Sequence, residues 1–268
     1  MRATALIALN VFRESVRDKV LYNLVFFALL LIAASYLIGQ LTAGQDVKII
    51  KDLGLAASSV FGLFIAVFIG IGLVSKEVEK RSIYGLLAKP IHRYQLVLGK
   101  YAGLVLTLAV NLAVMTAALY LVLAYMTAIA DSGTKAAWER PALDPDLLKA
   151  FMLMFVELAV VMAIAVFFST FSSPLLSAAL TFGFFVAGRF SADLRNFNQV
   201  VDSPTAAALA SGLYWVLPNL APFDVRGQVV HGQPVDAGYL AIAIGYGVLY
   251  AGALIVAAML IFSRRDFK

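Results

Sequence analysis

Uncharged apolar runs of more than twenty residues recur from one end of this 268-residue chain to the other, and they leave few folds open to it. Val20 to Leu41, Leu53 to Ser75, Tyr101 to Ala130 and Ala237 to Ser263 contain no lysine, arginine, aspartate or glutamate. Each is long enough as a helix, at about 1.5 Å per residue, to cross about 30 Å of hydrocarbon. A fifth run, Leu158 to Gly188, would make a straight helix of about 46 Å and must therefore be two segments. The break falls at Ser172-Ser173-Pro174, because proline removes a backbone donor and biases the residue before it away from helix.

The sequence predicts an all-α, polytopic membrane protein with six spans, at about 20–41, 53–75, 101–127, 148–171, 174–190 and 238–262. No stretch is left over to build a separate soluble core, so residues 1–268 read as one membrane domain. Composition agrees: 62% of the residues are apolar, 14% are charged, and the mean hydropathy is +0.89. Cysteine is absent and there are two histidines, so disulfides, thiolate metal sites and histidine clusters are excluded.

Ahead of the first span, Ala5, Leu9, Phe12, Val16 and Val20 fall on one side of a helical wheel. Asn10, Arg13, Glu14, Arg17 and Asp18 fall largely on the other, with Ile7 and Val11 inside that polar arc. This predicts an amphipathic helix lying on the membrane surface.

Orientation follows from the basic residues. Six spans place Arg2, Arg13, Arg17 and Lys19, the loop residues Lys76, Lys80, Arg81, Lys89, Arg93 and Lys100, and the tail residues Arg264, Arg265 and Lys268 on one side. These are thirteen of the 21 lysines and arginines, accompanied by five of the 16 acids. The positive-inside rule makes that side cytoplasmic and sets both termini there. The net charge of +5 is thus a topology signal and a mild attraction to anionic lipid, with no call for nucleic acid.

The loop at 76–100, SKEVEKRSIYGLLAKPIHRYQLVLGK with the preceding Ser75, is both charged and patterned. Ser82 can cap a short helix that carries Ile83, Leu86 and Leu87 on one face, and Pro90 suits the first turn of the helix that follows. A short apolar-faced helix between charged flanks is either a docking element or a solvated connection. Its residues resemble the cytoplasmic coupling-helix region of ABC-2 type permeases: Glu79, Ser82, Leu86, Leu87, Pro90, Arg93, Gly99 and Lys100 follow one another in that family's order and spacing. With Arg81 and Ser82 where many members have glycine and threonine, the chain is similar to the subgroup that includes the permease of nitrous-oxide reductase maturation. The resemblance implies a permease subunit in the bacterial cytoplasmic membrane, a second permease chain as partner, and ABC ATP-binding subunits that dock on the loop and carry the ATP and Mg. No G-x-x-x-x-G-K-[ST] loop occurs in the sequence, so nucleotide hydrolysis is not expected of this chain, nor is any bound cofactor or metal. Under that resemblance Ile83 and Leu87 anchor the ATPase, and Glu79, Arg81 and Arg93 set its register.

Within the spans three features stand out. Glu157 lies about 13 Å into span four, where an ionised side chain costs about 3 kcal/mol or more unless paired or wetted. It is either a lining residue of a substrate path or a hydrogen-bonded packing residue, with Asn111 as a candidate partner, while Arg189 reads as an interface anchor. Gly62, Ala66 and Gly70 recur every four residues and predict a close helix contact, a candidate dimer seam. Residues 191–237 form a long outer segment whose helix, opened by Asp202-Ser203-Pro204 and carrying Leu209, Leu213, Val216 and Leu220, is too short to span and is expected to be interfacial or re-entrant. It could meet an extracytoplasmic partner. Three functions fit this sequence: an exporter permease, an ATP-driven machine acting on such a partner, and a non-ABC carrier or intramembrane enzyme.

Overall fold

The computed structural model describes residues 2–41, 45–79, 93–138, 140–191, 212 and 217–264. Among these there is helix and no strand: α1 (Arg2–Val16), α2 (Lys19–Gln40), α3 (Asp46–Glu79), α4 (Arg93–Ile129), α5 (Ser132–Ala137), α6 (Asp146–Ser169), α7 (Pro174–Arg189), α8 (Arg226–Val230) and α9 (Ala237–Arg264), with a 3-10 turn at Ala221–Phe223. The predicted outer helix lies almost wholly outside the described residues, apart from Leu220 at its end.

Five helices, α2, α3, α4, α6 and α9, are long and apolar enough to cross a membrane, and the chain is a multi-pass membrane protein. The sixth predicted segment, α7, is apolar but has 16 residues, or about 24 Å, short of the hydrocarbon thickness.

Helix starts follow local chemistry. Asp18 breaks α1 from α2 and accepts a hydrogen bond from the Val20 amide at 2.9 Å, capping α2. Helix α3 begins at Asp46, ahead of the expected start near 53, because Val47 and Ile50 already turn an apolar face to the body and the one lysine on that face, Lys51, is neutralised by Asp144. Pro174 opens α7 from an extended Ser173.

At the centre stands α6. Seventeen of its 24 residues are buried, so this span is enclosed by the other helices and not by lipid. Helices α2 and α9 bury one stripe each, α2 through Leu21, Ala28, Ile32, Ser35 and Gly39, and α2 leaves Phe26, Phe27 and Leu37 to the lipid.

Contacts along α6 set the directions of the helices. On α3, Gly62 faces Leu158 and Gly70 faces Ala165; on α9, Gly247 faces Val156, and Lys149 at the start of α6 donates to Val235 O, just ahead of α9, at 3.0 Å. All three helices therefore run the same way. Because α6 and α9 are parallel, the chain between them must climb back. Helix α7 returns from Pro174 only as far as Arg189, level with the middle of α6, and residues 217–236 cover the rest. Along that stretch Leu220, Phe223, Val225, Val229 and Val235 are buried, so it is a strap set into the body. Gly232, at φ +69, makes the turn that leads it to α9, a conformation glycine adopts without strain.

Candidate functional site

A carboxylate halfway along the most enclosed helix needs a partner. Glu157, 1% exposed, finds it in Arg189, the last residue of α7. Arg189 Nη2 donates to Glu157 Oε2 at 3.0 Å, and Nε stands 2.9 Å from Oε1 but off the line of a hydrogen bond. The guanidinium also lies over the Phe185 ring, 5.4 Å from its centre. Its other arm, Nη1, pairs with Asp224 of the strap, and Arg226 Nη2 lies 3.6 Å from the same carboxylate. Two acids and two arginines thus form a line from the core of α6 out to the strap. Their formal charges cancel, which is what a low-dielectric site demands.

Backbone bonds fix the strap over this line. Leu220 donates its amide to Gly188 O at 3.0 Å, the Asn219 amide donates to the Tyr246 hydroxyl at 2.8 Å, and Ser191 Oγ donates to Asn219 Oδ1 at 2.7 Å. Gly188 has no room for a side chain, because a Cβ there would stand 2.7 Å from Pro218 O. The cavity beside Glu157, Arg189 and Ser59 measures about 10 Å³, room for about one water. In this conformation the charged core is closed.

Asn111 is not part of it: its side-chain amide donates to Thr107 O, one turn back on its own helix, at 2.7 Å. Nor is Arg189 an anchor at the membrane edge, since its charge is drawn inward by Glu157. The Gly62, Ala66, Gly70 stripe is covered by α6 of the same chain. A Cβ at Gly62 would stand 2.5 Å from Leu158 Cδ1, and one at Gly70 2.9 Å from Ala165 Cβ, so this seam is intramolecular and is not free to join a second chain.

The patterned loop divides. Arg81, Ser82, Ile83, Leu86, Leu87 and Pro90 lie outside the described residues. Glu79 closes α3 and Arg93 opens α4. Just beyond, Gly99 and Gly103 seat α1: their Cβ positions fall 2.8 Å from Ile7 Cβ and 2.5 Å from Ala8 O. The face of α1 that packs is therefore Ile7, Val11 and Ser15, of which Ile7 and Val11 fall in the polar arc of the helical wheel, while Leu6 and Leu9 stay exposed. Helix α1 is seated on α4 and does not simply float on lipid. Sequence reasoning missed Gly103, although its spacing of four from Gly99 is the small-residue signal used for α3.

At the far end of the bundle Lys51 donates to Pro141 O at 3.0 Å and lies 3.6 Å from Asp144, and Tyr120 donates to Asp144 O at 2.8 Å. Among the described residues no group of three histidine, cysteine or acidic side chains is placed to hold a metal.

A bundle of membrane-length helices around a neutral, closed charge cluster defines the class, a multi-pass helical membrane protein. The chain belongs to the ABC-2 family transporter proteins, whose family model matches residues 5–267. No curated protein matches it. Membership makes it a membrane-embedded permease subunit of an ABC transporter, dependent on ATP-binding partner subunits and not itself an ATPase.

Proposed function

We propose that this permease is the membrane half of an exporter in the bacterial cytoplasmic membrane, that it pairs with a second permease chain, and that ATP-binding subunits holding ATP and Mg dock on its loop at 76–100. The observation that carries the reading is the overhang of two helices. Helices α3 and α4 have 34 and 37 residues, about 51 and 55 Å, well beyond a hydrocarbon core of about 30 Å. The uncharged run of α3 ends at Ser75 and that of α4 begins at Tyr101. The ends beyond these runs, 76–79 of α3 and 93–100 of α4, flank residues 80–92, which lie outside the described residues.

A push on such a loop passes along α4 as a rigid rod, and α1, locked onto Gly99 and Gly103, moves with it. The parallel course of α6 and α9 supports a sixth crossing, made of α7 and the strap together, and with it both termini in the cytoplasm. The Arg81-Ser82 pair supports the subgroup resembling the permease of nitrous-oxide reductase maturation. The closed core favours a second reading within the fold, an ATP-driven machine that moves an extracytoplasmic partner; uptake of candidate substrates into inverted vesicles separates the two.

Leu86→Glu with Leu87→Glu tests the docking. The expected outcome is loss of the co-purifying ATP-binding subunit with the permease still folded in the membrane. An unaltered complex with unaltered ATPase stimulation would refute it.

A further inference from the structure

The end of the bundle opposite the patterned loop carries a pocket of about 470 Å³, within the range of small-molecule sites. Lys135, Trp138 and Arg140 line it, with Thr127 at the end of α4 and Leu143 beside it. Its chemistry is one-sided. Among the described residues no acidic side chain lines it. Two acids of the described residues in this region, Asp144 and Asp131, are engaged with Lys51 and Thr134, and Glu139 lies outside the described residues. The Trp138 indole N–H is buried and has no acceptor among the described residues, a state that costs about 1–3 kcal/mol and calls for a further partner.

The walls also say where that partner comes from. Below the pocket, α4 turns Leu121, Tyr125 and Ile129 outward, all more than half exposed, and Leu143 is exposed at the rim. Tyr125 stacks edge-on against Tyr36 of α2, with ring centres 5.5 Å apart, at the level where aromatic residues meet lipid headgroups. An apolar face thus runs directly into a cluster of donors.

We propose that this pocket binds the phosphate of an anionic lipid, with its acyl chains lying along the exposed face of α4. A phosphodiester accepts from a guanidinium in paired geometry, from an ammonium, and from an indole N–H. A zwitterionic headgroup would bring its own cation against Lys135 and Arg140 and is disfavoured. The site is independent of the docking loop and of the charge line in the core, so it stands or falls apart from the exporter reading.

The two tryptophans of the chain, Trp138 and Trp215, make the test direct. In a Trp215→Phe background, the full chain in phosphatidylcholine bilayers is titrated with chain-brominated phosphatidylglycerol or chain-brominated phosphatidylcholine, and quenching of Trp138 is followed. The expected result is half-quenching at a mole fraction about thirtyfold lower for the anionic lipid, the scale of two cations at a membrane surface. The preference disappears in Lys135→Ala with Arg140→Ala and persists in Lys19→Ala, a basic residue at the other end of the bundle. Native mass spectrometry of the unsubstituted chain gives a second readout, in which phosphatidylglycerol survives delipidation and phosphatidylcholine does not. Equal quenching by the two lipids, a preference that survives the double substitution, or one lost equally in Lys19→Ala would each overturn the site. Displacement of the brominated lipid by soluble glycerol phosphate at the same concentration would overturn the lipid as occupant and leave a free phosphate.

Discussion

Two surfaces of α6 hold it in the bundle by opposite means. Toward α3 the contact is made by absence: Gly62, Ala66 and Gly70 let the backbone approach Leu158, Met162 and Ala165, and dispersion over a close seam does the rest. Toward α7 and the strap the contact is made by charge, through Glu157, Arg189 and Asp224. The first surface joins two helices that are apolar along their whole contact. The second joins a short helix and an irregular strap, whose polar backbone would be costly at this depth without fixed partners. Small residues therefore serve where two continuous helices meet, and charge serves where the chain breaks off inside the body. An ion pair can also be released and re-formed in a way that a glycine seam cannot, which makes the strap side the one able to move in a transport cycle.

Removing one charge is the hardest test of that contrast. Glu157→Ala leaves Arg189 half-buried beside Phe185 with half its partners gone, and a loss of up to about 3 kcal/mol is expected from breaking the pair at its buried end. Thermal unfolding in detergent would register it. Glu157→Arg combined with Arg189→Glu should recover much of the loss, because the pair is reversed but neutral. If Glu157→Ala alone melts like the parent protein, the charged surface does not hold the strap, and the contrast fails on that side.

Much of the fold was open to reading from sequence because it depends on where charge is missing. The bodies of α2, α3, α4 and α9 coincide with uncharged runs, that of α6 is interrupted by Glu157, and Pro174 marks the break before α7. The parts that escaped depend on partners distant in the chain. Lys51 looked like a loop residue because its acid is Asp144. Arg189 looked like a membrane-edge anchor because Glu157 lies 32 residues upstream and the short reach of α7 is what makes them level. The face of α1 was misjudged for the same reason: Ile7 and Val11 pack because Gly99 and Gly103 open a groove on another helix, which no wheel drawn for α1 alone contains. The cluster at Glu157 was legible as a need for a partner, and only the fold supplied the partner's name.

The apolar surface should break more gradually. At Gly70 an added side chain meets Ala165 Cβ at 2.9 Å, an atom tied to backbone, whereas at Gly62 it meets the far end of Leu158. Gly70→Val is expected to cost about 2 kcal/mol through overpacking, and Gly62→Ala less, since Leu158 can change rotamer. Melting temperatures of the two variants in the same detergent should fall in that order. The reverse order would mean that α3 and α6 slide along this seam, and the permanence ascribed to it would be lost.

The smallest effect sharpens the comparison from outside, at a carboxylate that has hydrogen bonds but no burial. Asp131 caps α5, accepting from the Thr134 hydroxyl and, at 3.2 Å, from the Thr134 amide. Those bonds, the hydroxyl's first, hold its carboxyl below the usual carboxylate range. A lowered value in the folded chain means that the cap stabilises α5 at any pH above the ordinary carboxylate pKa of about 3.9, and that this contribution drains away as pH falls through the lowered value. The protection of the Thr134 amide, its exchange rate referred to the intrinsic rate at each pH, should therefore be greatest at neutral pH and fall only in acid. Asp131→Asn, which keeps an acceptor oxygen but cannot titrate, should flatten that dependence, and Asp131→Ala should lower protection at neutral pH and converge on the parent in acid, without touching the strap. If Asp131→Ala instead loosened residues 217–230, an exposed cap at the far end would be coupled to the charged core, and burial would no longer separate the two kinds of carboxylate.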